Sequence, residues 1–157
     1  MVAKLPPVAS RAGKYLIFVL GAKQYGVEII KVREILGVPP IIPMPQAPHY
    51  IKGVINLRGK VIPIIDTWTK FGISERENTS KTCIIVVDVG GKSIGLLVDT
   101  VKEVVNIREE QIEAPPNFGT SAGNDFVRSL GKIGDQVKIL LDIDQMLGNL
   151  ESSDLAR

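Results

Sequence analysis

Short apolar runs broken by glycine-centred turns recur along this chain. Tyr15 to Leu20 and Gln24 to Ile29, joined by Gly21-Ala22-Lys23, read as two strands and a tight turn. Cys83 to Val89 and Lys92 to Val98 read the same way around Gly90-Gly91, a pair that tolerates positive φ. A third hairpin is predicted from Ile55-Asn56-Leu57 through Arg58-Gly59 to Lys60–Asp66, and a fourth from Leu130–Ile133 through Gly134-Asp135 to Gln136–Leu141. Pro63 donates no hydrogen bond, so its strand is expected to be an edge or to carry a bulge. The stretch Pro39 to Pro48 is too rich in proline for a helix interior and is expected to be extended or turn-like. Ile143, Met146, Leu147 and Leu150 fall at helical spacing and predict a short C-terminal helix over Asp142 to Leu150.

The pattern repeats. A shift of 69 positions lays Leu20–Ile29 over Val89–Val98 and Val32-Arg33-Glu34-Ile35 over Val101-Lys102-Glu103-Val104. A shift of 76 lays Val61–Gly72 over Val137–Gly148, with Asp66 on Asp142 and Phe71 on Leu147. Two matching blocks in one order predict two similar lobes, each a set of antiparallel strands followed by a short helix. Many short strands need closed or covered edges, which points to an all-β chain of two small barrels with a groove between them. Residues 1–13 lack any period and are expected to form a flexible tail, as are residues 151–157; the polar stretch from Glu75 to Lys81 reads as an exposed connector.

Composition narrows the chemistry. Of the 157 residues, 45% are apolar but only 5% aromatic, so the core must be mainly Val, Ile and Leu, which favours strands. The 19 basic and 17 acidic side chains are interspersed, so no stripe suits nucleic acid and no polybasic block suits a membrane surface. No apolar run approaches the ~20 residues of a membrane helix, and Pro6-Pro7 interrupts any signal-peptide core, so a cytoplasmic protein is expected. Cys83 is the single cysteine and reads as a small buried hydrophobe.

Catalytic groups are scarce. His49 is the sole histidine, and with one cysteine it makes a transition-metal site improbable; neither metal nor cofactor is expected. Asp66, Asp88, Asp99 and Asp142 each follow an apolar strand, where carboxylates ordinarily cap turns. A small ligand- or cation-binding barrel, or a hydrolase using these aspartates, is the alternative class. Gly90-Gly91-Lys92-Ser93 lacks the preceding glycine of a phosphate loop and is followed by a strand, so it is a turn. The remaining expectation is a non-enzymatic protein with apolar surface for protein partners.

Tyr50-Ile51-Lys52-Gly53-Val54-Ile55-Asn56-Leu57-Arg58-Gly59, continuing to Asp66, resembles the signature of the CheW-type chemotaxis coupling proteins. Tyr25–Ile29, Val32–Ile35, Gly95–Asp99 and Ile139–Asp142 extend the resemblance, which runs from about Tyr15 to Leu150. It implies a CheW-like domain over residues 14–150, built as two intertwined five-stranded SH3-like barrels related by pseudo-symmetry. It implies a non-catalytic adaptor with two partners: the cytoplasmic tips of chemoreceptors and the regulatory domain of the histidine kinase CheA. Association with membrane receptor arrays would then be through protein contacts, without direct membrane insertion. Carried over by position, Leu16, Ile29, Val32, Ile35 and Val101 would line a receptor-binding groove. Glu34, Gly37, Val38, Gly53 and Arg58 would belong to the coupling surface, with Glu34 and Arg58 expected to form an ion pair. Thr67-Trp68-Thr69 departs from the family pattern; packing is the expected role for Trp68, an exposed contact the alternative.

Overall fold

Each of the four glycine turns closes a two-stranded hairpin, and two sheets are assembled by exchanging hairpins between the sequence repeats. In the computed structural model, which describes residues 12–73, 77–115 and 126–147, the strands are β1 (Gly13–Leu20), β2 (Lys23–Glu28), β3 (Val32–Gly37), β4 (Ile51–Leu57) and β5 (Lys60–Asp66). After the helical turn α1 (Thr67–Lys70) come β6 (Cys83–Val89), β7 (Lys92–Val98), β8 (Thr100–Ile107), β9 (Ile112–Glu113), β10 (Val127–Ile133), β11 (Gln136–Leu141) and α2 (Ile143–Leu147). One sheet runs β8-β1-β2-β11-β10-β9 and the other β3-β6-β7-β5-β4.

The two orders are the same once β1, β2, β8, β10 and β11 are matched to β6, β7, β3, β4 and β5. The first hairpin of each repeat therefore leaves its own repeat and completes the sheet of the other. This is the intertwining that the family resemblance implied, and it refines the two similar lobes read from the repeats. It also explains why not every pairing is antiparallel. β2 runs parallel to β11 and β5 parallel to β7, the two parallel seams between repeats, while β1 with β8 and β3 with β6 join the repeats antiparallel. The repeat shift holds atom for atom at the bulges, between Val32 and Glu34 on β3 and, one repeat later, between residues paired with Ile17 and Phe18 on β8. A second pair of bulges lies between Ile51 and Gly53 and between Val127 and Ser129, 76 positions apart. Bulges add twist, which is what rolls a short sheet into a barrel.

The expected five strands per barrel hold for one sheet; the other gains the two-residue β9. Its counterpart is the isolated bridge from Ile42 in the proline-rich loop to Val54. β5 is interior rather than an edge, but its ladder to β7 starts only at Ile64, so Pro63 has a strand partner on the β4 side alone. Of the expected tails, only Ala12 and Gly13 are described, and Gly13 already begins β1. Residues 148–150 of the expected terminal helix lie outside the described residues, while 77–81 of the connector are exposed.

A large apolar cluster joins the sheets: Phe18, Leu20 and Val27 from one and Ile64, Leu96 and Val98 from the other, with Trp68, Ile143 and Leu147 from the helices. Aromatic contacts cross it from Phe18 to Tyr25 at 5.8 Å, Tyr25 to Phe71 at 5.1 Å and Phe71 to Phe126 at 4.8 Å. A smaller cluster of Tyr15, Ile17, Ile107, Ile112 and Leu140 fills the six-stranded barrel. Burial at this scale supplies most of the driving force, and the interdigitation of close-packed side chains adds specificity.

Candidate functional site

The strand-end aspartates were the chain's best candidates for acid–base chemistry, and each is occupied by a backbone or side-chain donor. Asp66 Oδ1 accepts from Thr69 N at the start of α1, and Asp142 Oδ1 accepts from Gln145 N at the start of α2. Asp88 Oδ1 accepts from Gly91 N at 2.9 Å and closes its hairpin turn. Asp99 accepts from Gly21 N at 2.8 Å and from Trp68 Nε1 at 2.7 Å. Carboxylates held this way satisfy orphan donors at caps and turns. Among the described residues no three His, Cys, Asp or Glu side chains gather as metal ligands. His49 is exposed and meets Tyr50 edge-on at 6.0 Å. Cys83 is half-buried against the core, and desolvation raises its thiol pKa. Trp68 is 1% exposed, so it is a packing residue and not a surface contact.

The apolar positions assigned to a groove occupy different depths. Leu16 is 2% exposed and belongs to the core joining the sheets, so a partner meets it only through its neighbours. Ile29, Val32 and Val101 are half-buried and pack against that same core. Ile35 is 44% exposed, and its repeat equivalent Val104 is 49% exposed. Val32 and Ile35 lie on β3 and Val101 and Val104 on β8, the strands that end the two sheets. The two sheet-end strands thus carry equivalent apolar residues, partly covered and partly open.

The polar positions fall around the β4–β5 turn. Arg58 and Gly59 have φ of +53° and +87°, the paired left-handed conformation that suits a two-residue hairpin loop. Asn56 Oδ1 accepts from Gly59 N at 2.9 Å and braces the loop. Glycine is the usual residue at such φ, so Arg58 holds it at a cost of about 1–2 kcal/mol. Its guanidinium reaches back to β3 and donates from Nη2 to Glu34 Oε2, the expected ion pair. The Asn-Leu-Arg-Gly motif therefore has a local job, turning the chain, and a long-range one, linking the turn to β3.

Gly53 sits at the β4 bulge with φ of +154° and is buried rather than on a surface. A Cβ there would lie 2.2 Å from the Ile42 carbonyl oxygen, so glycine is what lets the proline-rich loop lie against β4. Gly37 is exposed, and Val38 is half-buried against the core. Glu34, Arg58 and the Gly53-supported loop are therefore neighbours in the fold of one barrel, around β3, β4 and β5.

Sequence reasoning missed two charged groups. Arg128 is repeat-equivalent to Lys52 at the second bulge; its guanidinium donates to Glu28 Oε1 at 2.8 Å and lies 3.6 Å from Asp142 Oδ2. Burial opposes its charge, but Glu28 and Asp142 outweigh that and raise its pKa. Lys138 is 3% exposed at the position equivalent to the core residue Ile62, with its ammonium donating to the side-chain oxygens of Gln24 and Gln136. The 76-residue shift alone pairs Lys138 with Ile62 and could have flagged it.

Comparison with known proteins agrees with this architecture. The CheW-like domain model matches residues 14–151. The chemotaxis protein CheW of Klebsiella aerogenes is 38% identical over 96% of this chain and 93% of its own length. The CheW of Rhizobium meliloti is 36% identical over 90% and 92%. The crystal structure of the scaffolding protein TtCheW from Thermoanaerobacter tengcongensis superposes with a TM-score of 0.77 at 38% identity, covering 83% of this chain and 88% of that one. Sequence along nearly the whole chain and the exchanged-barrel fold point to one family, and the chain belongs to it: the CheW family of chemotaxis scaffold proteins.

Proposed function

We propose that this protein is a non-catalytic adaptor that couples chemoreceptor cytoplasmic tips to the regulatory domain of the histidine kinase CheA. The observation that carries the reading is the pair of repeat-equivalent residues Val32 and Val101, both half-buried on sheet-end strands and both packed on the core that joins the barrels. With Ile29 and the exposed Ile35 they supply apolar surface on and beside the sheet-end strands, suited to the apolar face of a receptor helix. Glu34, Arg58 and the loop over Gly53 form a polar, backbone-defined surface on one barrel, and the kinase domain is its occupant. Association with receptor arrays follows from these contacts.

The test is titration calorimetry of the protein against a receptor cytoplasmic fragment and, separately, against the kinase regulatory domain. Val32→Asp places a charge on this apolar surface and is expected to weaken receptor binding at least tenfold while sparing kinase binding. Wild-type protein that binds neither fragment overturns the adaptor reading and leaves the fold intact.

A further inference from the structure

Exchanging hairpins obliges the chain to cross between sheets twice. One crossing is the 3-10 turn Ile29–Lys31, between β2 and β3; the other is Asp99, between β7 and β8. Each is tied to the second residue of the helix that follows the parallel partner of the strand being left. Asp99 Oδ1 accepts from Trp68 Nε1 at 2.7 Å, and Trp68 is the second residue of α1. Lys31 Nζ bonds Asp144 Oδ2 at 2.7 Å, and Asp144 is the second residue of α2. Trp68 and Asp144 are related by the 76-residue shift, and Asp99 corresponds to Ile30, the neighbour of Lys31. The same place in the fold is clamped twice.

The clamps differ in chemistry. At Asp99 the carboxylate bonds Trp68 from one barrel and Gly21 N from the other, and Asp99 N donates to Val19 O at 3.1 Å. The indole is 1% exposed, so water competes poorly for that bond. At Lys31 the contact is one ion pair whose side chains are 27% and 50% exposed, and Ile30 beside it is 79% exposed. The fixed point nearest the first crossing is Glu28, held by Arg128, just before the turn.

We propose that the two crossings carry a permanent and a releasable clamp: Asp99–Trp68 stays closed, while Lys31–Asp144 opens locally and frees residues 29–31, the lead-in to β3. The observation behind it is the equivalence of position combined with the difference in burial and bond number. Val32, the first residue of β3, donates its amide to Ile29 O, so its proton is protected only while the turn is formed. The clamp concerns the isolated chain and stands or falls without any partner.

Native-state amide exchange followed by NMR tests this. The Val32 amide is expected to exchange faster than the Asp99 amide and the Trp68 indole proton. Its exchange is expected to accelerate about two- to fivefold in Lys31→Gln, the range an exposed ion pair supplies, and to accelerate in wild type when NaCl is raised from about 0.05 to 0.5 M. Asp99 and Trp68 are expected to stay unchanged under both treatments, and the swap Lys31→Asp with Asp144→Lys to restore Val32 protection. Equal exchange at the two crossings, or Val32 exchange indifferent to both Lys31→Gln and salt, overturns the proposal.

Discussion

Gly95 faces Ile64 across the parallel seam between β5 and β7 with no room for a side chain: a Cβ at Gly95 would lie 2.6 Å from Ile64 Cδ1 and 2.8 Å from Ile84 Cγ2. The equivalent seam repeats the relationship with Gly26 and Leu140, more loosely, at 2.9 Å. These glycines let two hairpins from different repeats approach at the seams. Neither has positive φ, so the demand is steric and not conformational.

Gly95→Ala is therefore expected to destabilise by about 2–3 kcal/mol, the upper part of the overpacking range, because the methyl meets both the end of Ile64 and Ile84 Cγ2, which is bonded directly to Cβ and has little freedom to move. Gly26→Ala meets the flexible end of Leu140 and is expected to cost about 1 kcal/mol. Urea unfolding of both variants checks the order; equal losses would remove the steric distinction between the seams.

Gly53 makes a different demand, combining φ of +154° with the Ile42 carbonyl oxygen 2.2 Å from where a Cβ would sit. Gly53→Ala must release the Ile42–Val54 bridge. The expected result is loss of amide protection at Ile42 and Val54, with a stability cost of about 2 kcal/mol from strained backbone. Protection unchanged at both amides would show that the loop accommodates a methyl group.

The Glu34–Arg58 pair is exposed on the arginine side, with 70% of that side chain open to solvent, so its contribution to stability is small. Arg58→Gly relieves the left-handed strain while losing the ion pair, and the two effects are expected to leave unfolding free energy within about 1 kcal/mol of wild type. Kinase-domain binding should fall in Arg58→Gly and in Glu34→Arg, and the double exchange Glu34→Arg with Arg58→Glu should recover part of it. A double variant binding no better than either single one would separate the pair from the coupling surface.

The hairpins were legible because a glycine turn and its flanking strands are adjacent in sequence, and Asn56-Leu57-Arg58-Gly59 turned out to be one of them. The exchange was legible only through the family resemblance, not from the repeats themselves. Similarity between repeats says that Gly26 and Gly95 are equivalent but not which strand each lies beside, since pairing is decided by long-range contacts. β3 and β8 were left without a strand assignment because Arg33-Glu34 and Lys102-Glu103 interrupt their apolar pattern; each strand carries a bulge there and continues past it, with Arg33, Lys102 and Glu103 exposed and Glu34 half-buried. In the candidate site, exposure was the hidden quantity: Leu16 and Ile35 look alike as letters, yet one is 2% and the other 44% exposed.

Lys138 offers the sharpest energetic test. Its ammonium has two neutral oxygens as acceptors, Gln24 Oε1 and Gln136 Oε1, and burial lowers its pKa, with Lys102 adding to that and Glu103 opposing it. The folded chain thus binds this proton less tightly than the unfolded one. The burden on stability is full below the lowered folded pKa and is relieved as pH rises toward the ordinary value of 10.5. Lys138→Met keeps an unbranched apolar stem at this buried position and removes the charge. It is expected to stabilise by about 1 kcal/mol at pH 7, as replacing buried charge with apolar volume often does. That advantage should shrink as pH rises through the lowered pKa, because folded wild type then sheds the same proton. Thermal melts of the two proteins from pH 7 to 10 measure the convergence. A Lys138→Met protein less stable than wild type at pH 7 would mean that the two glutamine contacts compensate the buried ammonium in full.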